Sequence, residues 1–243
     1  MKRDFAGKTY WIVGASEGLG RALAFELAKA GAHVCLSARS EDRLKALAAD
    51  LPHASTVAPL DLRDRASVAA AYATLPPLDG LVFSAGAYEP LTAQEWDAEA
   101  VETMIDVNLT GAARALGAAL PDMIARDRGH IVLIGSIAGL TGLPGAIGYG
   151  ASKAGLIHLA ETLRADLDPK RFDVQIVNPG FIETRLTAKN SFKMPFIMSA
   201  EAAATRTLKL MSGRRFRGYY PRRFAALFRI GRLLPDWLYF RIV

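Results

Sequence analysis

Lys8-Thr-Tyr-Trp-Ile-Val-Gly-Ala-Ser-Glu-Gly-Leu-Gly20 decides the reading of this chain. Residues 8–13 are apolar and β-branched enough to form a buried strand. Leu19, Leu23, Leu27 and Ala30 then recur at helical spacing, and Gly31 is a stop signal, so a helix is expected from about Gly18 to Ala30. Between the two lies a turn with glycines at 14, 18 and 20. Glycine permits φ > 0 and lets a pyrophosphate approach the backbone, while the N–H groups at a helix start face the anion.

Downstream the alternation continues. Strands are expected at 33–37, 55–60, 78–84, 130–135, 174–178 and 217–220. Helices are expected at 42–50, 63–75, 149–167 and 200–211, with a long helical region at 93–126 broken near Glu99. Apolar strands alternating with amphipathic helices imply a parallel sheet covered on both faces. With 243 residues and no linker or repeat, one doubly wound α/β domain is expected. A composition of 51% hydrophobic and 22% charged residues argues against disorder. A single cysteine, Cys35, excludes an intrachain disulfide, and His33, His53, His130 and His158 lack metal-ligand spacing, so no metal is expected. There is neither a signal-like apolar core nor a long uncharged apolar run, which points to a cytoplasmic protein.

Tyr149 and Lys153 stand four residues apart on an expected helix, so both can face one cleft. A nearby ammonium favours phenolate and makes a tyrosine a usable acid and base. Ser136, thirteen residues earlier, offers a hydroxyl to a carbonyl oxygen gaining charge. This equipment suits hydride transfer to or from a carbonyl. Taken singly, Ser136 can end a strand, Tyr149 can be a core residue and Lys153 a solvated one.

Together these motifs resemble the short-chain dehydrogenase/reductase family over roughly residues 5–220. Gly14, Gly18 and Gly20 match its glycine turn, Ser84-Ala85-Gly86 its strand-four motif (with Ser where Asn is usual), and Asn178-Pro-Gly-Phe-Ile-Glu-Thr184 its nicotinamide segment. The resemblance implies a Rossmann fold and a catalytic set of Asn108, Ser136, Tyr149 and Lys153, with Asn108 holding a water that links Lys153 to solvent. It implies cofactor contacts from Gly14, Ser16, Gly18, Leu19, Gly20, Arg39, Ser40, Asp61, Leu62, Ser84, Ala85, Gly86, Tyr149, Lys153, Pro179, Gly180, Ile182 and Thr184. It further implies a homodimer or homotetramer.

Arg39 points to NADP(H) over NAD(H). It lies 19 residues past Gly20, where an acid usually holds a ribose hydroxyl; a guanidinium there binds a 2′-phosphate. Ser40 and Arg43 can assist. Pairing of Arg39 with Glu41 or Asp42 is the other reading. Asp61 is an adenine contact or a helix cap, with Asp64 the better cap.

The expected substrate lid, about 181–199, carries Phe181, Ile182, Leu186, Phe192, Met194, Pro195, Phe196, Ile197 and Met198. It reads as an apolar pocket for a lipid-like substrate, or as packing against the sheet edge. The domain therefore spans 1–221, and 222–243 forms a basic amphipathic extension. Residues 206–243 hold ten basic residues and one acid, a net +9, while the rest of the chain nets −3. Such a tail can meet a membrane surface, pack on a sister subunit or roof the pocket; no nucleic-acid partner is expected. The expectation is an NADP(H)-dependent oxidoreductase of a hydrophobic ketone or alcohol. A 3-oxoacyl-carrier reductase, a non-catalytic NADP(H) sensor and a membrane-surface module are the alternatives.

Overall fold

Seven parallel strands form the centre of the protein, in the order β3-β2-β1-β4-β5-β6-β7. The computed structural model describes residues 3–242. The strands are β1 (Thr9–Val13), β2 (His33–Ser37), β3 (Thr56–Val57), β4 (Gly80–Phe83), β5 (Gly129–Ile134), β6 (Phe172–Pro179) and β7 (Arg217–Tyr220). The helices are α1 (Gly18–Lys29), α2 (Glu41–Asp50), α3 (Arg65–Ala73), α4 (Ala98–Ile105), α5 (Gly111–Ala125), α6 (Ile147–Asp166), α7 (Ala200–Met211), α8 (Arg222–Gly231) and α9 (Asp236–Ile242).

Side chains of a strand alternate between faces, and the two layers sort accordingly. Tyr10, Ile12, Val82, Val132 and Val177 pack beneath α1, α2 and α7. Trp11, Val13, Leu81, Phe83, Ile131, Leu133 and Ile176 pack beneath α3, α5 and α6. Both faces are buried, which is why the strands read as continuous apolar runs rather than alternating ones. Ala225 of α8 joins the second layer, so the basic extension is tied to the core.

β3 is shorter than expected, and the long helical region breaks near Glu99 as expected but contains a turn the pattern does not show. β3 keeps only two ladder residues of the expected six, although Ala58 N and Leu60 N still donate to the Leu36 and Ala38 carbonyls at 3.0 and 3.1 Å, leaving Pro59, which has no N–H, to face the open sheet edge. The long helical region breaks before Ala98, where the Asp97 carboxylate accepts from Ala100 N at 3.1 Å and restarts the helix. It then runs on through a widened π-turn, Asp106–Thr110, with Asn108 buried at its centre.

A buried polar chain ties β1, β5 and β6. Gln175 Nε2 donates to the carbonyls of Leu210, Gly213 and Arg215, so its Oε1 must accept from His130 Nε2–H at 2.8 Å. His130 Nδ1 then accepts from the Tyr10 hydroxyl at 2.8 Å. Burial, with the Arg3 charge, pushes His130 down to about 3 and keeps it neutral.

Candidate active site

The carboxyl ends of β1, β2, β4, β5 and β6 open into a cleft of about 1040 Å³, at the switch point where the chain's order reverses. All of the expected site residues line it except Asn108. At one end Gly14 takes φ +93°, and a Cβ there would lie 2.5 Å from Ala85 N, so the turn and the loop after β4 touch backbone to backbone. The α1 N-terminus has no side-chain cap, since Glu17 makes no capping bond. Its N–H groups are left to an anion. Glu17 puts a carboxylate on the cleft wall, but Arg43 at 3.2 Å and Arg185 at 2.7 Å neutralise it. A cradle of this volume, with an uncapped helix start, fits a dinucleotide.

At the β2 end Arg39 is exposed on the cleft wall and forms no ion pair among the described residues. Glu41 pairs instead with Lys45 at 2.8 Å. Arg43, the expected helper, is engaged by Glu17. Ser40 caps α2, accepting from Arg43 N at 3.5 Å. Asp61 accepts from Arg63 N at 2.9 Å; burial raises its pKa, but the Arg63 bonds and charge, with Arg39, outweigh that and lower it. The cap of α3 is Asp64, whose carboxylate accepts from Ala66 N at 2.8 Å.

At the other end Ser136, Tyr149 and Lys153 converge. Ser136 lies just past β5 and caps the turn that follows, accepting from Ala138 N at 3.1 Å, which leaves its own proton to donate. Lys153 is buried and donates to the Ile134 carbonyl at 2.9 Å. Its ammonium lies 5.7 Å from the Tyr149 ring centroid. Burial pushes Lys153 down to about 8. Burial also pushes the Tyr149 phenol up, with the neighbouring Ser136 hydroxyl working against it. The expectation that Lys153 lowers the tyrosine is therefore corrected: desolvation dominates both groups, and the phenol is held as the acid.

Asn108 sits behind the cleft. Its Nδ2 donates to Ala87 O at 3.0 Å and Ser152 Oγ at 2.9 Å, and its Oδ1 accepts from Ala87 N at 2.6 Å. Both amide hydrogens are thus committed to protein, and the side chain braces the loop after β4 against α6. Asn178, fully buried beside Gly135, has no partner for either amide atom among the described residues.

Sequence reasoning missed Tyr88. Its ring stands edge-on to Tyr149, centroids 5.0 Å apart, and its hydroxyl donates to Asn190 Oδ1 at 2.6 Å, joining the lid to the catalytic end. Lys189 closes the same seam on Glu89. Of the expected apolar lid residues only Ile182 and Leu186 line the cleft. Phe181 and Phe196 pack on Phe224 of α8 at 6.0 and 5.9 Å, and Phe192 on Phe181 at 5.8 Å. The lid aromatics thus neither line the pocket nor pack on the sheet edge: they lean on α8, with Phe192 and Phe196 largely exposed.

Fold and cleft together define a doubly wound, dinucleotide-binding α/β protein. The sequence model for short chain dehydrogenase matches residues 8–194, and the chain belongs to the short-chain dehydrogenase/reductase family of nicotinamide-dependent oxidoreductases. An uncharacterized oxidoreductase of Myxococcus xanthus is 38% identical over 97% of this chain and 96% of its own. A 3-oxoacyl-[acyl-carrier-protein] reductase of Rickettsia bellii is 36% identical over 76% of this chain and 77% of its own. Among solved structures, a short-chain dehydrogenase from Sphingobium yanoikuyae in complex with NADPH aligns with a TM-score of 0.82 at 28% identity, covering 94% of this chain and 97% of that one. No helix among the described residues is long and apolar enough to cross a membrane.

Proposed function

We propose that this chain is an NADP(H)-dependent carbonyl reductase or alcohol dehydrogenase acting on a ketone or secondary alcohol with an apolar body. The observation that carries the chemistry is the convergence of Ser136, Tyr149 and Lys153 on the cleft wall, with the half-buried Tyr149 phenol beside the Ser136 hydroxyl and its pKa raised by desolvation. A bound nicotinamide supplies the hydride in reduction and accepts it in oxidation. Ser136 donates a hydrogen bond to the substrate oxygen, and Tyr149 gives that oxygen its proton. Lys153 holds positive charge beneath the phenol at pH below about 8. Tyr88 stands edge-on to Tyr149, and Met104 and Leu186 also line the cleft, which supports a hydrophobic substituent on the carbonyl.

NADP(H) is favoured over NAD(H) by Arg39, whose exposed guanidinium forms no ion pair among the described residues at the β2 end of the cleft. The NADPH named in the Sphingobium structure points the same way. A second reading, reduction of a 3-oxoacyl thioester on an acidic carrier protein, draws support from the Rickettsia relative. The test is NADPH oxidation against ketones of increasing chain length, with Tyr149→Phe as the blank. Rates that climb with chain length and vanish in the variant support the ketone reading. Turnover of carrier-bound 3-oxoacyl substrate alone, weakened by salt, transfers support to the second reading. Undiminished turnover in Tyr149→Phe removes Tyr149 from its role.

A further inference from the structure

Helix α8 has three distinct sides. Its inner side is spent on the fold: Ala225 is buried, and Phe224 stacks on Phe228 at 4.9 Å and on the lid aromatics. One flank faces a second cleft, of about 730 Å³, between α6, β7 and α8. That cleft is lined by five arginines (Arg215, Arg217, Arg222, Arg229 and Arg232) against one carboxylate, Glu161. Glu161 is already paired with Arg217 at 2.7 Å, and Arg229 lies over the Tyr219 ring at 5.4 Å. Arg215, Arg222, Arg229 and Arg232 form no ion pair among the described residues.

Away from the fold, α8, the turn after it and α9 expose apolar side chains. Leu227, Ile230, Leu233, Trp237, Phe240 and Ile242 are all exposed, Leu233 to 83% and Trp237 to 70%. Leu233 stands at the lip of the arginine cleft, so the charged and apolar surfaces meet there.

We infer that α8, α9 and the arginine cleft form a docking face for an anionic lipid bilayer. The apolar side would enter the acyl boundary, and the flanking arginines would meet the phosphate headgroups, with the cleft able to seat one. Charge selects this occupant over a second copy of the chain. A twofold interface on this face would set the same unpaired arginines against themselves, with Asp236 the one acid in residues 221–243 to offset them. An anionic surface complements both the net +9 of residues 206–243 and the apolar strip beside it. The inference does not depend on the substrate reading, because the face lies outside the active-site cleft.

The test is flotation of the full chain with vesicles of phosphatidylcholine alone and of phosphatidylcholine mixed with phosphatidylglycerol. Sedimentation of the same samples and their thermal melting accompany it. The expected result is flotation with the anionic vesicles and little with the neutral ones. Replacing two cleft arginines, Arg229→Gln with Arg232→Gln, should weaken partitioning about 30-fold, as expected for two charges near an anionic surface. Leu233→Ser with Trp237→Ser should weaken it with the arginines intact, and unchanged melting should show that both variants remain folded. Wild-type protein left unbound by anionic vesicles overturns the inference. So does a smaller oligomer in the variants with flotation unaffected, which would assign the face to a second copy. Inhibition of flotation by free phosphate alone, without dependence on the apolar residues, would reduce the cleft to a site for a soluble anion and also overturn the bilayer.

Discussion

Replacing Lys153 with methionine should stabilise the protein at neutral pH while removing its activity. The ammonium is buried, 3% exposed, and its pKa falls from an ordinary 10.5 to about 8 because burial disfavours the charge. That difference corresponds to about 3 kcal/mol of folding free energy opposed by the charged lysine. Methionine fills a similar volume without charge. It leaves the Ile134 carbonyl without its donor, which costs about 1 kcal/mol. The net gain at pH 7 is about 2 kcal/mol, and for a chain of this length that raises Tm by about 4–8 °C. Between about pH 8 and 10.5 the unfolded chain binds the proton and the folded one does not, so wild-type stability rises with pH across that window. By pH 9 the variant's advantage should shrink to about 1 kcal/mol. Melting of both proteins at pH 7 and pH 9, with NADPH oxidation at each pH, makes the measurement. A variant no more stable than wild type at pH 7, or an advantage that ignores pH, refutes the argument that burial sets the state of this lysine.

His130, depressed to about 3, contributes stability that is complete above about pH 6.5 and lost as pH falls. Unfolding in urea at pH 7 and pH 5 should show a loss of about 2 kcal/mol, largely absent in His130→Gln. Arg39→Asp should lower kcat/KM for NADPH by about 10- to 100-fold and leave NADH no worse, as steady-state kinetics with both cofactors will show. Gly14→Ala forces a side chain into φ +93° and against the Ala85 backbone, so a loss of about 2 kcal/mol or more and weakened NADPH binding are expected in melting and titration.

Elements with local punctuation were legible in the sequence. β2 at His33–Ser37, α7 at Ala200–Met211 and β7 at Arg217–Tyr220 form where the residue pattern places them. Ser199 caps α7 by accepting from Ala202 N at 3.2 Å, a signal carried by the sequence itself. The glycine turn, Ser136, Tyr149 and Lys153 were legible for the same reason, since each sits at the end of a strand or on one face of a helix. What depended on distant partners was not legible. Tyr88 is a lone loop tyrosine until the fold sets it on edge against Tyr149, and only its place just after Ser84-Ala-Gly86 hinted at a role. The lid aromatics suited a pocket equally well until Phe224, more than 25 residues further on, claimed two of them. The two pKa directions depend on burial, which spacing along a helix does not reveal.

Burial is also what links the catalytic proposal to the cleft's electrostatics. Desolvation moves Tyr149 and Lys153 in opposite directions: the phenol's pKa is raised and the ammonium's is lowered. A neutral phenol suits the donor of a proton, and so the reduction direction, without further adjustment. The oxidation direction needs phenolate, and a phenolate in this site must draw on positive charge that Lys153 supplies only while protonated. With an ammonium pKa of about 8, that charge is held narrowly at neutral pH. An anion brought into the cleft favours the charged lysine and restores the margin. The uncapped α1 start and the unpaired Arg39 lie on the same cleft, so the groups disposed to hold an anionic ligand and the lysine that benefits from one share a single cavity. On this reading the catalytic end is not a finished acid–base pair on its own; its charge state is completed by what the glycine turn holds.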